Sequence, residues 1–232
     1  MSNVKYKIIF ENDFFLVINK PANVNFHDED SAGNGIFNQV KSQGNYPQLY
    51  PVHRIDKMTS GLLLFAKTKE AASEFGNLFS QHLIEKYYLA ISLDKPKKKQ
   101  GWIKGDMVKS RRSAWRLDRT MNNPAISQFF SYSISEGVRL FLVKPLTGKT
   151  HQIRVALNSI GSSISGDPIY NPSHNIDRGY LHAYALRFCL FGEDYQFVER
   201  PNEGELFLNR QCLTKLNELQ TPWQLPWPKH NK

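Results

Sequence analysis

The sequence predicts an α+β fold: a mixed, largely antiparallel sheet core with a few flanking helices. Three observations lead there. Strand-like segments are numerous, and runs such as Phe14 to Asn19, Leu62 to Ala66 and Tyr180 to Phe191 have the length and apolar content of strands. Helical periodicity is confined to a few short stretches. Strands and helices do not alternate regularly, as they would around a parallel α/β sheet.

Taken in order, residues 5–10 and 14–19 read as two strands joined by the turn residues Glu11-Asn12-Asp13. Lys20-Pro21-Ala22-Asn23 breaks the second strand, and a short helix is expected over 36–41. Ser60-Gly61 reads as a turn, and the continuous apolar run Leu62 to Ala66 as a buried strand. Thr68 is placed to cap the next helix, in which Ala71, Ala72, Phe75, Leu78 and Phe79 recur at helical spacing. Lys86 to Ser92 is a further strand, a basic region follows, and strands are expected near 125–132 and 138–144. Thr150 to Ile160 reads as a helix with Ile153, Leu157 and Ile160 on one stripe and Gly161 at the left-handed cap position. Tyr180 to Phe191 is a long strand, and Leu213, Leu216 and Leu219 mark a short helix. The tail 221–228, rich in Pro and Trp, is expected to be non-helical and to pack across the surface. No repeat or low-complexity linker divides the chain, so residues 1–232 are expected to form a single domain.

Of the 232 residues, 41% are hydrophobic and 22% charged, ordinary values for a globular chain that exclude extensive disorder. No apolar run approaches the roughly 20 residues of a membrane-spanning helix. The start leads into strand pattern without a secretory apolar region, so a cytoplasmic protein with no membrane partner is expected. Two cysteines, Cys189 and Cys212, without a CxxC pair argue against a disulfide framework or a structural zinc. The net charge is +9, and most of it is local: from Lys95 to Arg119 ten cations face two carboxylates, a net +8. Interleaved with Trp102 and Trp115, this stretch suits a polyanion such as nucleic acid. A solvated basic loop is the alternative.

Three segments carry chemistry. Pro51 to Leu64 sets Asp56 in a polar turn directly before a buried strand, where a carboxylate can be held rigidly among cations and hydroxyls; a turn-capping Asp is the alternative reading. Lys144 to Val155 brings polar side chains to a helix N-terminus, with Arg154 beside the stripe residue Ile153 and hence partly buried. A buried arginine needs a carboxylate, for which Asp56 is the candidate, and such pairing keeps the carboxylate ionised. Gly166-Asp167-Pro168-Ile169-Tyr170 is a turn of the kind that fixes a loop. His53, Asp56 and His151 raise the possibility of a metal, but no HxH or HxxE spacing supports one, and no metal is expected.

These segments resemble the RluA-type pseudouridine synthase family. The family's His-Arg-(Leu/Ile)-Asp-x-x-Thr-Ser-Gly-Leu-Leu signature matches His53 to Leu63, its TG-(R/K)-THQIR element matches Thr147 to Arg154, and its GDxxY element matches Gly166 to Tyr170. Lys86, Tyr88 and Ala90 match its K-x-Y-x-A strand, and Leu181-His182-Ala183 also fits. The KPxG turn appears as Lys20-Pro21-Ala22-Asn23, where Asn replaces glycine and tolerates the same left-handed backbone. The resemblance covers about Ile8 to Phe191, and it implies a single catalytic domain over 1–232 with its core at about 8–191, an extension at about 192–232 and no separate N-terminal RNA-binding domain.

It implies the sheet core of the pseudouridine synthase type and an RNA-modifying isomerase. Asp56 would be the catalytic carboxylate, Tyr88 would stack on the target base, Arg154 would pair with Asp56, and Arg54 would enter the gap left by the extruded nucleotide. His53, Lys149 and His151, with Lys97, Lys98, Lys99, Arg111 and Arg112 of the basic stretch, are expected to contact RNA, either tRNA or rRNA. Moving a uracil from a nitrogen to a carbon linkage involves neither redox change nor net hydrolysis, so no cofactor is implied. The carboxylate's role as nucleophile or in a glycal-type route is left open. A silent RNA-binding protein on the same fold and a metal-dependent phosphoesterase are the competing readings. A monomer is expected.

Overall fold

The computed structural model describes residues 4–28, 32–111, 113–172 and 175–227. In chain order its elements are β1 (Lys7–Glu11), β2 (Phe15–Lys20), α1 (Ile36–Gln43), β3 (Tyr50–Pro51), β4 (Ser60–Ala66), α2 (Lys69–Ser80), β5 (Glu85–Ser92), β6 (Gln100–Lys109) and β7 (Trp115–Asp118). There follow β8 (Pro124–Ser135), β9 (Val138–Pro145), α3 (Gln152–Ser159), β10 (Leu181–Leu190), β11 (Glu193–Val198), α4 (Glu205–Leu208) and α5 (Arg210–Glu218), then a 3-10 turn at Pro222–Gln224. The expected α+β class, a mixed sheet with few helices, is what forms. No helix among the described residues is long and apolar enough to cross a membrane. The chain divides into two compact units, residues 1–85 with 182–199, and residues 86–181 with 200–232.

The first unit is organised by β4. All seven of its residues are buried, which is why it reads as an uninterrupted apolar run rather than an alternating one. One edge pairs antiparallel with β2, from Phe15 opposite Ala66 to Lys20 opposite Gly61. The other edge is shared: β3 pairs antiparallel at Phe65 and Ala66, and β10 pairs parallel at Ser60 and Gly61. The expected turn at Ser60-Gly61 is therefore the first residues of this strand. Gly61 has φ +104°, and a Cβ there would lie 2.3 Å from the Ala183 carbonyl oxygen, so the close approach of β10 requires glycine.

Helix α2 is capped as expected, with Thr68 Oγ1 accepting the Ala71 N–H at 3.1 Å, and it buries Ala71, Phe75 and Leu78. Phe75 joins a ring cluster around Phe15, whose centroid lies 5.7 Å from Phe75, 5.6 Å from Phe188 and 4.8 Å from Tyr195. Burying Phe15 completely contributes about 1.5–3 kcal/mol. Strand β11 was not anticipated, because Glu193 and Asp194 open it and half of it faces solvent. The long strand expected to reach Phe191 ends at Leu190. Phe191 and Gly192, with φ of 52° and 86°, form the two-residue turn into β11.

The second unit is an antiparallel sheet in the order β5-β9-β8-β6-β7. The basic stretch, expected as a region between strands, is largely β6 and β7. Its inward positions carry Ile103 and the small Gly105, so the alternation is masked by lysine, glycine and aspartate. Helix α3, expected over 150–160, spans Gln152–Ser159, and Gly161 beyond it takes φ +79°, the left-handed conformation expected there. Helix α5 buries Cys212 and Leu216, and burial pushes the Cys212 thiol up to about 12. The tail packs by its rings, with Trp227 4.8 Å from Phe130 and 5.7 Å from Tyr87. It does contain one helical turn, since a proline at the first helical position lacks only an N–H that would be unbonded anyway.

Candidate active site

Asp56 lies in the turn between β3 and β4, partly exposed, with the buried side chains of Ile55 and Met58 pinning the turn on either side. The Thr59 N–H donates to the Asp56 carbonyl at 3.0 Å and closes it. Most of the surrounding polar residues are anchored in the protein. His53 Nε2 accepts the Leu64 N–H at 3.0 Å, which fixes a neutral ring protonated at Nδ1, and the ring stacks on Phe79 at 5.1 Å. Ser60 Oγ lies 2.8 Å from His182 Nδ1, and His182 Nε2 lies 2.9 Å from the Glu199 carbonyl. A carbonyl can only accept, so Nε2 carries the proton, and in the neutral ring Ser60 donates to Nδ1.

Lys20 is fully buried, and its ammonium donates to the carbonyls of Pro21 and Val24 at 2.8 Å and of Lys57 at 3.2 Å. Three acceptors offset the cost of burying the charge. They also fasten the Pro21–Val24 turn to the residue next to Asp56. Asn23 takes φ +62°, the left-handed conformation expected where a glycine is usual. Over His53–Gly61, Arg54 and Lys57 are exposed, His53 and Asp56 are partly exposed, and the rest are buried.

In the second unit Tyr88 is 9% exposed on β5, opposite Val143 of β9. Lys86, two residues earlier on the same face of the strand, has its ammonium pushed below the ordinary lysine range by burial. Arg154 is 4% exposed. Its Nε donates to Asp167 Oδ2 at 2.7 Å and its Nη2 to Oδ1 at 2.9 Å, a bidentate pair with a carboxylate that is itself fully buried. The sequence reading gave Arg154 only Asp56 and saw in Gly166 to Tyr170 only a loop-fixing turn; it missed Asp167. Asp167 Oδ1 also accepts the N–H groups of Ile169 and Tyr170 at 2.9 and 3.0 Å. Gly166, φ +71°, lets this turn pass where a Cβ would stand 2.1 Å from the Arg178 carbonyl oxygen.

The N-terminus of α3 is equally fixed. Gln152 Oε1 accepts from Thr147 Oγ1 at 2.7 Å and from the Lys149 N–H at 3.0 Å, while its Nε2 donates to the Ile126 carbonyl and to Ser127 Oγ, both at 3.0 Å. This second missed residue ties the Thr147–Lys149 turn to β8. The signal was a glutamine fixed in the THQIR motif just inside a helix start. Among the described residues, no group of three His, Cys, Asp or Glu side chains is arranged to hold a metal.

A family model described as RNA pseudouridylate synthase matches residues 14–159. The chain belongs to the RNA pseudouridylate synthase family. It is 45% identical over 206 residues to a protein of Haemophilus influenzae named "Uncharacterized RNA pseudouridine synthase", covering 88% of this chain and 92% of that one. To the ribosomal large subunit pseudouridine synthase D of Nitrosomonas europaea it is 30% identical over 221 residues, covering 88% of this chain and 61% of that protein. Among solved structures, human RNA Pseudouridylate Synthase Domain Containing 1 shares the fold, with a TM-score of 0.76 at 23% identity over 99% of both chains.

For a member of an RNA-modifying family, the placement of the cations matters. Lys97, Lys98 and Lys99 are exposed ahead of β6, and the Lys97 N–H donates to the Ile160 carbonyl, just past the C-terminal end of α3. Arg111 is exposed in the β6–β7 turn at the other end of the strand, and Arg112 lies outside the described residues. Ten residues of β6 hold the two groups roughly 30 Å apart. The Arg111 end joins α3 at its N-terminus: Tyr170 Oη accepts the Trp115 N–H at 2.8 Å and lies 3.1 Å from His151 Nδ1. Lys149, half-buried, lies in the turn before His151. Lys104 stands 4.5 Å from the Trp102 ring and Lys109 5.9 Å from that of Trp115.

Proposed function

We propose that this chain isomerises a specific uridine of structured RNA to pseudouridine, with Asp56 as the catalytic carboxylate acting on a flipped-out nucleotide. The observation that carries this is the Asp56 turn: its buried lysine, its histidines and its serine are tied to backbone groups or to one another, and Asp56, partly exposed, stands between the exposed Arg54 and Lys57. The reaction breaks the sugar bond to N1, turns the uracil and joins the sugar to C5. A proton leaves C5 and one is gained at N1, so atoms and electrons balance without an oxidant or cofactor. Asp56 acts at the sugar or base, or moves the proton.

Tyr88 stacks on the detached uracil and retains it, a contact worth about 1–3 kcal/mol per base. Arg154 supplies the fixed positive charge of the site. Arg54 fills the gap left by the extruded nucleotide. His53 takes part through the turn it braces, and Lys149, His151, Arg111, Arg112 and Lys97 to Lys99 hold phosphates. The chain works as one catalytic domain, active as a monomer in the cytoplasm. Relatives named for the ribosomal large subunit favour rRNA over tRNA as the substrate.

The experiment is a map of pseudouridines in total RNA from cells with and without the gene. One uridine should lose its modification on deletion and regain it with the wild-type gene but not with Asp56→Asn. An unchanged map, with the protein shown to be expressed, would overturn the proposal.

A further inference from the structure

Asp167 is the least exposed carboxylate near any of the proposed site residues, and its geometry is unusually complete. Both oxygens engage the Nε–Nη2 edge of Arg154, at 2.7 and 2.9 Å, and Oδ1 also holds the Ile169 and Tyr170 N–H groups. The turn thus organised lays the Tyr170 ring against Arg154, 5.2 Å from guanidinium carbon to ring centroid. A guanidinium gripped along one edge and covered on one face has its plane fixed. An arginine on a helix surface would otherwise sample several rotamers, and that freedom must be lost each time the group engages a carboxylate or the substrate.

We propose that Asp167 is a positioning residue for the reaction: it acts through Arg154, whose guanidinium it orients and whose charge it balances before RNA arrives. The inference rests on the role proposed for Arg154. Asp167 is fully buried, so its effect should appear in turnover rather than in RNA affinity. A purely structural ion pair would instead lower the melting temperature and leave the turnover of the folded enzyme unchanged.

The test compares Arg154→Lys, Asp167→Asn and the double variant on an RNA fragment carrying the mapped uridine, with kcat, KM and melting temperature recorded for each. In Asp167→Asn the remaining oxygen can still accept the Ile169 and Tyr170 N–H groups, while the amide nitrogen faces the Arg154 donors. Expected is a kcat about 10- to 100-fold lower with KM changed less than about threefold. The double variant should be no more than about twofold slower than Arg154→Lys alone, because both changes remove the same oriented group.

If Arg154→Lys is slow but Asp167→Asn turns over normally, the positioning role is overturned and that of Arg154 stands. If Arg154→Lys turns over normally, the role of Arg154 fails, and the inference with it. Multiplying effects in the double variant would also overturn the inference. Should Asp167→Asn melt below the assay temperature, Asp167→Glu keeps the ion pair but shifts the guanidinium. It should give the same loss of kcat, and normal turnover there would count against the proposal.

Discussion

Around the turn before β4, Lys20 of β2, His53 of the turn, Ser60 of β4 and His182 of β10 bond to backbone carbonyls, to a backbone N–H or to one another, and three of the four are fully or almost fully buried. In the hairpin of β6 and β7, Lys109, Arg111, Arg116 and Arg119 are exposed, and the ion pair of Arg116 with Asp118 spans 3.6 Å on the surface. The first region holds one carboxylate in place with many fixed bonds. The second presents charge on flexible side chains over a strand pair. A reacting group tolerates little misplacement, whereas a phosphate contact works over a range of geometries because the attraction is non-directional. Substitutions in the turn should therefore act on rate and stability in large steps, and those in the hairpin on affinity in small, additive, salt-dependent ones.

The largest step is expected at Asp56. Asp56→Asn is isosteric but can serve neither as nucleophile nor as proton acceptor, so pseudouridine formation should fall by at least about a thousandfold. RNA affinity and melting temperature should stay close to wild type. Turnover above a tenth of wild type, with deamidated protein excluded, would remove Asp56 from the chemistry. Next comes the frame. Gly61→Ala places a Cβ 2.3 Å from the Ala183 carbonyl oxygen at φ +104°, so it should destabilise the fold by about 2–4 kcal/mol in urea unfolding. An unchanged midpoint would mean that β4 and β10 do not approach as closely as their pairing requires.

The two regions were also unequally legible. A turn that must pass close to another strand, or hold a buried charge, tolerates only particular residues. Gly61, Ser60, Lys20 and His53 therefore stand out as a motif even when the bonds they make cannot be foreseen. The β4 run was legible for the same reason, since a strand buried on both faces admits only apolar side chains. The hairpin was legible as charge alone. Its inward positions are filled by Ile103 and Gly105 beside lysines and aspartate, which blurs the period-2 pattern, and the strands were missed. The Arg154–Asp167 pair was missed because thirteen residues and a turn separate its partners. Burial of an arginine predicts that a carboxylate exists, not which one.

Tyr88 sharpens the comparison from the second unit. Tyr88→Phe keeps the stacking face and loses the hydroxyl. If that hydroxyl assists proton removal from the rejoined ring, kcat should fall about 10- to 100-fold while RNA affinity changes little. Tyr88→Ala should reduce both. Equal and small losses in Tyr88→Phe would leave stacking as the residue's whole contribution, and a fully active alanine variant would take it out of the site.

The smallest effects belong to the cations, and here the fold divides what the sequence presents as one patch. Each phosphate neutralised releases counterions, about 0.7 per contact on single strands, so replacing Lys97, Lys98 and Lys99 by Ala should flatten the salt dependence of affinity by roughly two units if all three engage RNA. Arg111→Ala should flatten it by less than one unit. Arg111 belongs to the hairpin that Tyr170 joins to the N-terminus of α3, whereas Lys97 adjoins its C-terminal end. The two sets therefore sample opposite ends of a surface about 30 Å long. If RNA lies along the whole of β6, the two changes should add, because sites so far apart share no partner. If it is held only near α3's N-terminus, Arg111→Ala alone should alter the slope, and the triple lysine variant should match wild type. Binding titrations at four or five salt concentrations separate these outcomes. Slopes unchanged in both variants would show that the basic stretch is solvated charge and that RNA is held elsewhere.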